Sequence, residues 1–133
     1  MNKETLLQGS FALTEFIFFS ESGMWLLVFE NDLRVQIESF WRLLENRRIK
    51  WTSKDNGQIY GHRTPIDLKT EIRKSLLNSS LNSIERNLNT GDLYLEFGNN
   101  LTFKILTDSS GYEPWEIIIG EKRIFGLGQG AKA

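Results

Sequence analysis

The sequence contains no cysteine, one histidine and two prolines in 133 residues. Without cysteine there are no disulfides, no thiolate zinc sites and no thiol nucleophile. With a single histidine, a metal site would have to be built from carboxylates, and no Asp-rich loop with calcium spacing occurs. The Gly-rich phosphate loop and the nucleophile elbow are also missing. "GLGQG" near the C-terminus resembles a fragment of a dinucleotide fingerprint, but it opens no helix. No run approaches the ~20 apolar residues that a membrane-spanning helix needs. A surplus of either charge is lacking too. Sixteen Lys and Arg stand against 17 Asp and Glu, a net charge of −1, which gives no general attraction to nucleic acid.

The N-terminal stretch "MNKETLLQGSFALTEFIFF" is interrupted by Gln8, Thr14 and Glu15, and no small-residue cleavage site follows. The expectation is no export signal and a cytoplasmic location. The sequons Asn78-Ser79-Ser80 and Asn100-Leu101-Thr102 then read as chance matches. The length suggests one domain over residues 1–133, enough to bury roughly 65–70% of its unfolded surface.

Two segments of the chain resemble each other at an offset of 68 positions. "LVFENDLRVQI" (27–37) matches "LEFGNNLTFKI" (95–105) at Leu27/Leu95, Phe29/Phe97, Asn31/Asn99, Leu33/Leu101 and Ile37/Ile105, with Gly23 opposite Gly91. Each copy alternates apolar residues at period two around an Asn-centred turn, the pattern of a hairpin. Further strands are expected at "SFALTEFIFFS" (10–20), at "ESFWRLLEN" and "RRIKWTS" around Glu45-Asn46-Arg47, and at "SLNSIERNLNTGDLYLEF" around Asn89 to Asp92. A last pair, "WEIIIG" and "RIFGLG", turns at Gly120-Glu121-Lys122.

One helix is expected over residues 65–77. Thr64 would be its N-cap and Pro65 its first residue, with Leu68, Ile72 and Leu76 as the buried stripe. The expected fold class is therefore α+β, predominantly antiparallel β. It has two similar hairpin-based units, about 10–58 and 80–127, and one intervening helix packed on the sheets. Residues 128–133 are expected to fray.

Residues that carry chemistry are few. His62, in the loop "YGHRTP", reads as a solvated loop residue rather than a general base. Glu113 and Glu116 flank Pro114 and Trp115. Glycosidases use paired carboxylates as acid and base, but a strand beginning at Trp115 would point these two to different sides. Of the four tryptophans, most are expected in the core, because each aromatic buries ~150–250 Å². Trp41 and Trp51 lie on opposite sides of one proposed hairpin, so burying both requires a particular register. The expectation is no catalytic, cofactor-binding or metal site.

The stretches "WRLLENRRIKWTSKDNGQIYGHRTPIDLKTEI" and "DLYLEFGNNLTFKILTDSSGYEPWEI" resemble a family of small bacterial proteins. Some of these are cytosolic immunity proteins found beside polymorphic or contact-dependent growth-inhibition toxins. The resemblance spans roughly residues 10 to 127 and is sharpest at Ser110-Gly111-Tyr112-Glu113-Pro114-Trp115-Glu116. It implies a protein that is not an enzyme, that needs no cofactor, and that neutralises a cognate protein toxin by stoichiometric binding. No membrane or nucleic-acid partner is implied.

A weakly acidic chain facing a basic toxin would use acidic residues for steering. The candidate contact residues are Asp92, Glu96, Asp108, Tyr112, Glu113 and Glu116. Two other classes compete. One is a carboxylate-based enzyme or small-ligand domain using a cleft between the β-units. The other is a module that self-associates through an unpaired strand edge.

Overall fold

The computed structural model describes residues 2–61 and 63–126; the expectations for His62 and for a frayed 128–133 fall outside them. Among the described residues, ten strands and one helix follow in the order β1 (Lys3–Phe19), β2 (Met24–Phe29), β3 (Leu33–Ile37), β4 (Trp41–Glu45), β5 (Arg48–Thr52), α1 (Leu68–Leu76), β6 (Ser80–Asn87), β7 (Leu93–Phe97), β8 (Leu101–Ile105), β9 (Trp115–Ile119) and β10 (Lys122–Phe125). The α+β, mainly antiparallel class is as expected. Neighbouring strands all pair antiparallel in one sheet of order β10-β9-β3-β2-β1-β6-β7-β8-β4-β5.

That order reads alike from either end. The meander β1-β2-β3 adjoins the meander β6-β7-β8 through β1 and β6, and each carries a hairpin on its outer edge. The hairpins are exchanged, however. β4-β5 follows β3 in the chain but pairs with β8, while β9-β10 follows β8 but pairs with β3. The two units expected at about 10–58 and 80–127 are therefore interleaved in space rather than laid side by side.

The geometry of the two meanders matches at the offset read from sequence. Trp25 opposes Ile37 in one and Leu93 opposes Ile105 in the other. Their turns bend through Asn31 (φ 63°) and Asp32 (φ 59°), and through Asn99 (φ 63°) and Asn100 (φ 59°), left-handed conformations that Asn and Asp tolerate. Each exchanged hairpin begins with a tryptophan set against the last isoleucine of a meander, as Trp115 against Ile37 and Trp41 against Ile105.

The sheet is rolled onto itself. β2 and β4 are five strand spacings apart, about 24 Å if the sheet were flat, yet the rings of Trp25 and Trp41 lie 5.2 Å apart. Phe16–Phe103 at 6.2 Å and Phe29–Phe97 at 6.1 Å are further contacts between the halves. The fold line is β1, which pairs with β6 over Lys3–Ala12 and with β2 over Leu13–Phe19, with register irregularities along its length. β1 starts well before the strand expected at residue 10. Leu6 and Leu7 are consecutive, so the period-two signal is lost where the strand bulges. The apolar faces of both meanders, Trp41, Trp115 and the helix stripe Leu68, Ile72 and Leu76 form one buried cluster.

The helix begins later than expected. Asp67, not Thr64, is its N-cap, and Pro65 lies outside it. Ile66 exchanges backbone hydrogen bonds with Gln58 and Gly57, which holds residues 65–66 extended. The Leu68 N–H then donates to Asn56 Oδ1 at 3.0 Å, a cap supplied from another loop. The β4-β5 turn is the two-residue Asn46-Arg47, both at positive φ. Trp41 is fully buried, whereas Trp51 is half-buried across a bulge near Leu44.

Among the described residues one charge lies inside. Arg86, opposite Glu4 in the β1-β6 ladder, is fully buried and ion-paired to the Glu4 carboxylate, while its Nε and Nη1 have no hydrogen-bond partner among the described residues. Glu4 itself is partly exposed, but removing it leaves the buried Arg86 charge uncompensated, which is far costlier than replacing both residues. Glu4→Ala is expected to lower stability by about 3 kcal/mol, and Glu4→Leu with Arg86→Met to regain most of it. Asn56→Ala is expected to cost about 1 kcal/mol through the lost helix cap. Asn56→Asp, with a carboxylate at the positive helix end, should stay within about 0.5 kcal/mol of the parent. Urea unfolding followed by tryptophan fluorescence measures all four variants.

Candidate functional site

Because the hairpins are exchanged, the two linkers that carry them must cross. The β3-β4 linker is Glu38-Ser39-Phe40 and the β8-β9 linker runs over residues 106–114. They bond to each other. Glu38 N–H donates to the Pro114 carbonyl at 2.9 Å, Ser39 Oγ donates to the same carbonyl at 3.4 Å, and Leu106 N–H donates to the Phe40 carbonyl at 2.9 Å. Linker backbone must satisfy its polar groups somewhere. Here it does so at the crossing, where Ser39 and Pro114 are buried while Glu38, Asp108, Tyr112 and Glu113 are exposed.

The sharpest stretch of the sequence lies in this crossing. Ser109 Oγ accepts from the N–H groups of Gly111 and Tyr112 at 3.2 Å each, fixing the turn. Pro114 is buried, and Trp115 behind it is 1% exposed. The Trp115 indole N–H donates to the Gly91 carbonyl at 2.8 Å, and the ring packs against Gly126, where a Cβ would approach within 2.4 Å. Trp115 anchors the fold. In front of it a groove of about 510 Å³ is lined by Glu38, Asp108, Ser109, Tyr112, Glu113 and Pro114 among others.

The six candidate residues fall into four groups. Asp108, Tyr112 and Glu113 come together in this groove with Glu38, which sequence reasoning missed. Glu38 reaches the groove only through the crossing of linkers distant in sequence, and no local pattern signals that. Tyr112 is 81% exposed. Asp92 is a turn residue instead. Its Oδ1 accepts from Thr107 N–H at 2.8 Å and its carbonyl from Asn87 N–H, tying the β6-β7 turn to the chain leaving β8.

Glu116 lies on β9, and its carboxylate accepts from Arg123 Nη1 at 3.0 Å with the side chain 13% exposed. Glu96 borders a separate groove of about 640 Å³ beside the Asn46-Arg47 and Asn99-Asn100 turns, and its Oε1 is buried without a hydrogen-bond partner among the described residues. Glu113 and Glu116 thus do not act on one space.

The neighbouring loop is tied down in the same way. Thr52 and Asp55 form a reciprocal cap over the turn Ser53–Asp55. The Trp41 N–H donates to Ser53 Oγ at 3.3 Å. The exposed Tyr60 hydroxyl donates to Asp55 Oδ1 at 3.0 Å, and that hydrogen bond, with slight burial and the Asp55 charge, pushes its pKa upward. Among the described residues no group of three His, Asp or Glu side chains is placed to hold a metal ion, and no helix is long and apolar enough to cross a membrane.

A scan against protein-family models, a search of curated proteins and a search of solved structures each found no match. Structural and exposed members of the candidate set are separable by stability alone. Asp92→Ala is expected to lose about 1–2 kcal/mol, because Thr107 N–H is left without its acceptor. Tyr112→Ala and Glu113→Gln should stay within about 0.5 kcal/mol of the parent. Thermal unfolding of the three variants side by side provides the comparison.

Proposed function

We propose that the chain is a cytosolic immunity protein that neutralises a cognate bacterial toxin by stoichiometric binding, and that the groove at the linker crossing is its contact face. The observation that carries this reading is Tyr112, a large aromatic held 81% exposed by a fixed turn among the carboxylates of Glu38, Asp108 and Glu113. Rigid exposed tyrosines act as binding anchors because they offer large area at little entropy cost. Carboxylates around such an anchor steer a basic partner and speed association.

A stable interface needs about 800 Å² per partner, roughly a tenth of this chain's 7766 Å² of accessible surface. The strand edges favour this face over self-association. β5 carries Arg48 and Lys50 with a bulge, and β10 carries Lys122 and Arg123, features that blunt an edge against pairing. The matching turns and registers of the two meanders further support descent from one duplicated β-unit.

A carboxylate-based enzyme or small-ligand site is the competing reading. Asp108 and Glu113 do border one groove, while Glu116, engaged with Arg123, is not available to them.

The decisive assay is co-purification with, and protection against, the product of the neighbouring gene, which this reading expects to encode a toxin fragment. Tyr112→Ala is expected to weaken the complex about thirtyfold, and Glu113→Lys to slow association in a salt-dependent way. If the parent chain neither binds nor protects, the immunity reading is abandoned. If binding is unchanged in both variants, the face is wrong.

A further inference from the structure

The groove at the crossing continues past Glu38 and Asp108. Both side chains also border a second depression of about 450 Å³, whose other walls include Phe18, Trp25, Phe40 and Lys54. Its aromatic floor is rigid. Phe18 lies 4.2 Å from the Trp25 ring, and Trp25 is backed by Phe16 at 5.3 Å and Trp41 at 5.2 Å. Because those backing rings are close-packed, Phe18 cannot sink further and remains 38% exposed. A fixed, partly wet aromatic surface of this kind is what a docking trench offers to an apolar side chain.

We propose that the aromatic trench and the acidic groove together receive one segment of a protein partner in which a cationic side chain neighbours an apolar one. This rests on reading the crossing as the partner-binding face, and it adds the chemistry of what binds there. The carboxylates of Glu38 and Asp108 lie between the two depressions, with Glu113 beyond them. An acidic segment would meet three like charges, whereas an Arg or Lys would meet three opposite ones.

The trench already takes a cation from its own chain, since Lys54 Nζ sits 5.9 Å from the centroid of the Phe40 ring, within cation–π range. Lys54 is thus the intramolecular competitor of an incoming Arg or Lys. A second copy offering Arg48-Ile49-Lys50, with Ile49 56% exposed, is the rival occupant.

The test uses the full chain and short fluorescein-labelled peptides, so its failure leaves the neutralisation assay untouched. An Arg/Leu peptide is expected to bind about tenfold more tightly than a Glu/Leu or an Arg/Ser counterpart by fluorescence anisotropy, because each lacks half of the required chemistry. Phe18→Ser and Asp108→Asn should each weaken that binding about tenfold, and Lys54→Met, which removes the competitor, should strengthen it about threefold. Equal binding of the Glu/Leu or Arg/Ser peptide, weaker binding by Lys54→Met, or no binding at all overturns the proposal. So does a concentration-dependent dimer in sedimentation that the Arg/Leu peptide displaces.

Discussion

The contact of Trp41 with Trp25, rings edge to face at 5.2 Å, is the interaction on which the rest of this structure depends. Those residues belong to opposite halves of a single ten-stranded sheet, and they touch only if the sheet rolls about β1. Phe16 on that fold line meets both, and Phe103 stacks on Trp41 at 4.8 Å. Aromatic pairs of this kind add to their area burial. Four rings at the seam therefore give the roll a preferred geometry instead of a loose collapse. Trp41 also starts the β4-β5 hairpin, so the packing that closes the core fixes where the β3-β4 linker must run.

The linker crossing follows from that placement. Its backbone groups are satisfied by one another, and Ser109 holds the bend before Tyr112. The side chains left over are Glu38, Asp108, Tyr112 and Glu113. A surface assembled this way sits on rigid strands at both ends, which is how loops come to carry binding residues without being floppy. The same stretch therefore has two roles, with Trp115 and Pro114 turned inward as a fixed point and Tyr112 and Glu113 turned outward.

Much of the fold was legible because it is local. Alternation at 27–37 and 95–105 marks the meander strands, Asn31-Asp32 and Asn99-Asn100 sit at positive φ as their residue types suggest, and the helix stripe is the buried one. Failures came wherever a distant partner decided. The helix start is set by Asn56 and by pairing of Ile66 with Gln58, which outweigh the local preference for Thr64 and Pro65. The early part of β1 is extended because β6 is there to receive it. For the site, Tyr112 and Glu113 stood out in a conspicuous motif. Glu38 did not, since an isolated Glu before a Ser carries no signal until the crossing brings it to Asp108. Asp92 looked like any surface carboxylate, and its role appears only with Thr107 in place.

The exchanged hairpins also bear on how the chain comes off the ribosome. β3 is made early, yet the strand that covers it, β9, follows only after five further strands and the helix. Until then the Leu33, Val35 and Ile37 face has an open edge, and the first meander cannot close its own core. Non-local pairing of this kind slows folding and leaves nascent strands exposed to wrong partners. A protein built this way can close its first meander only once β9 has been made, and a chain truncated before Trp115 would leave β3 without its cover.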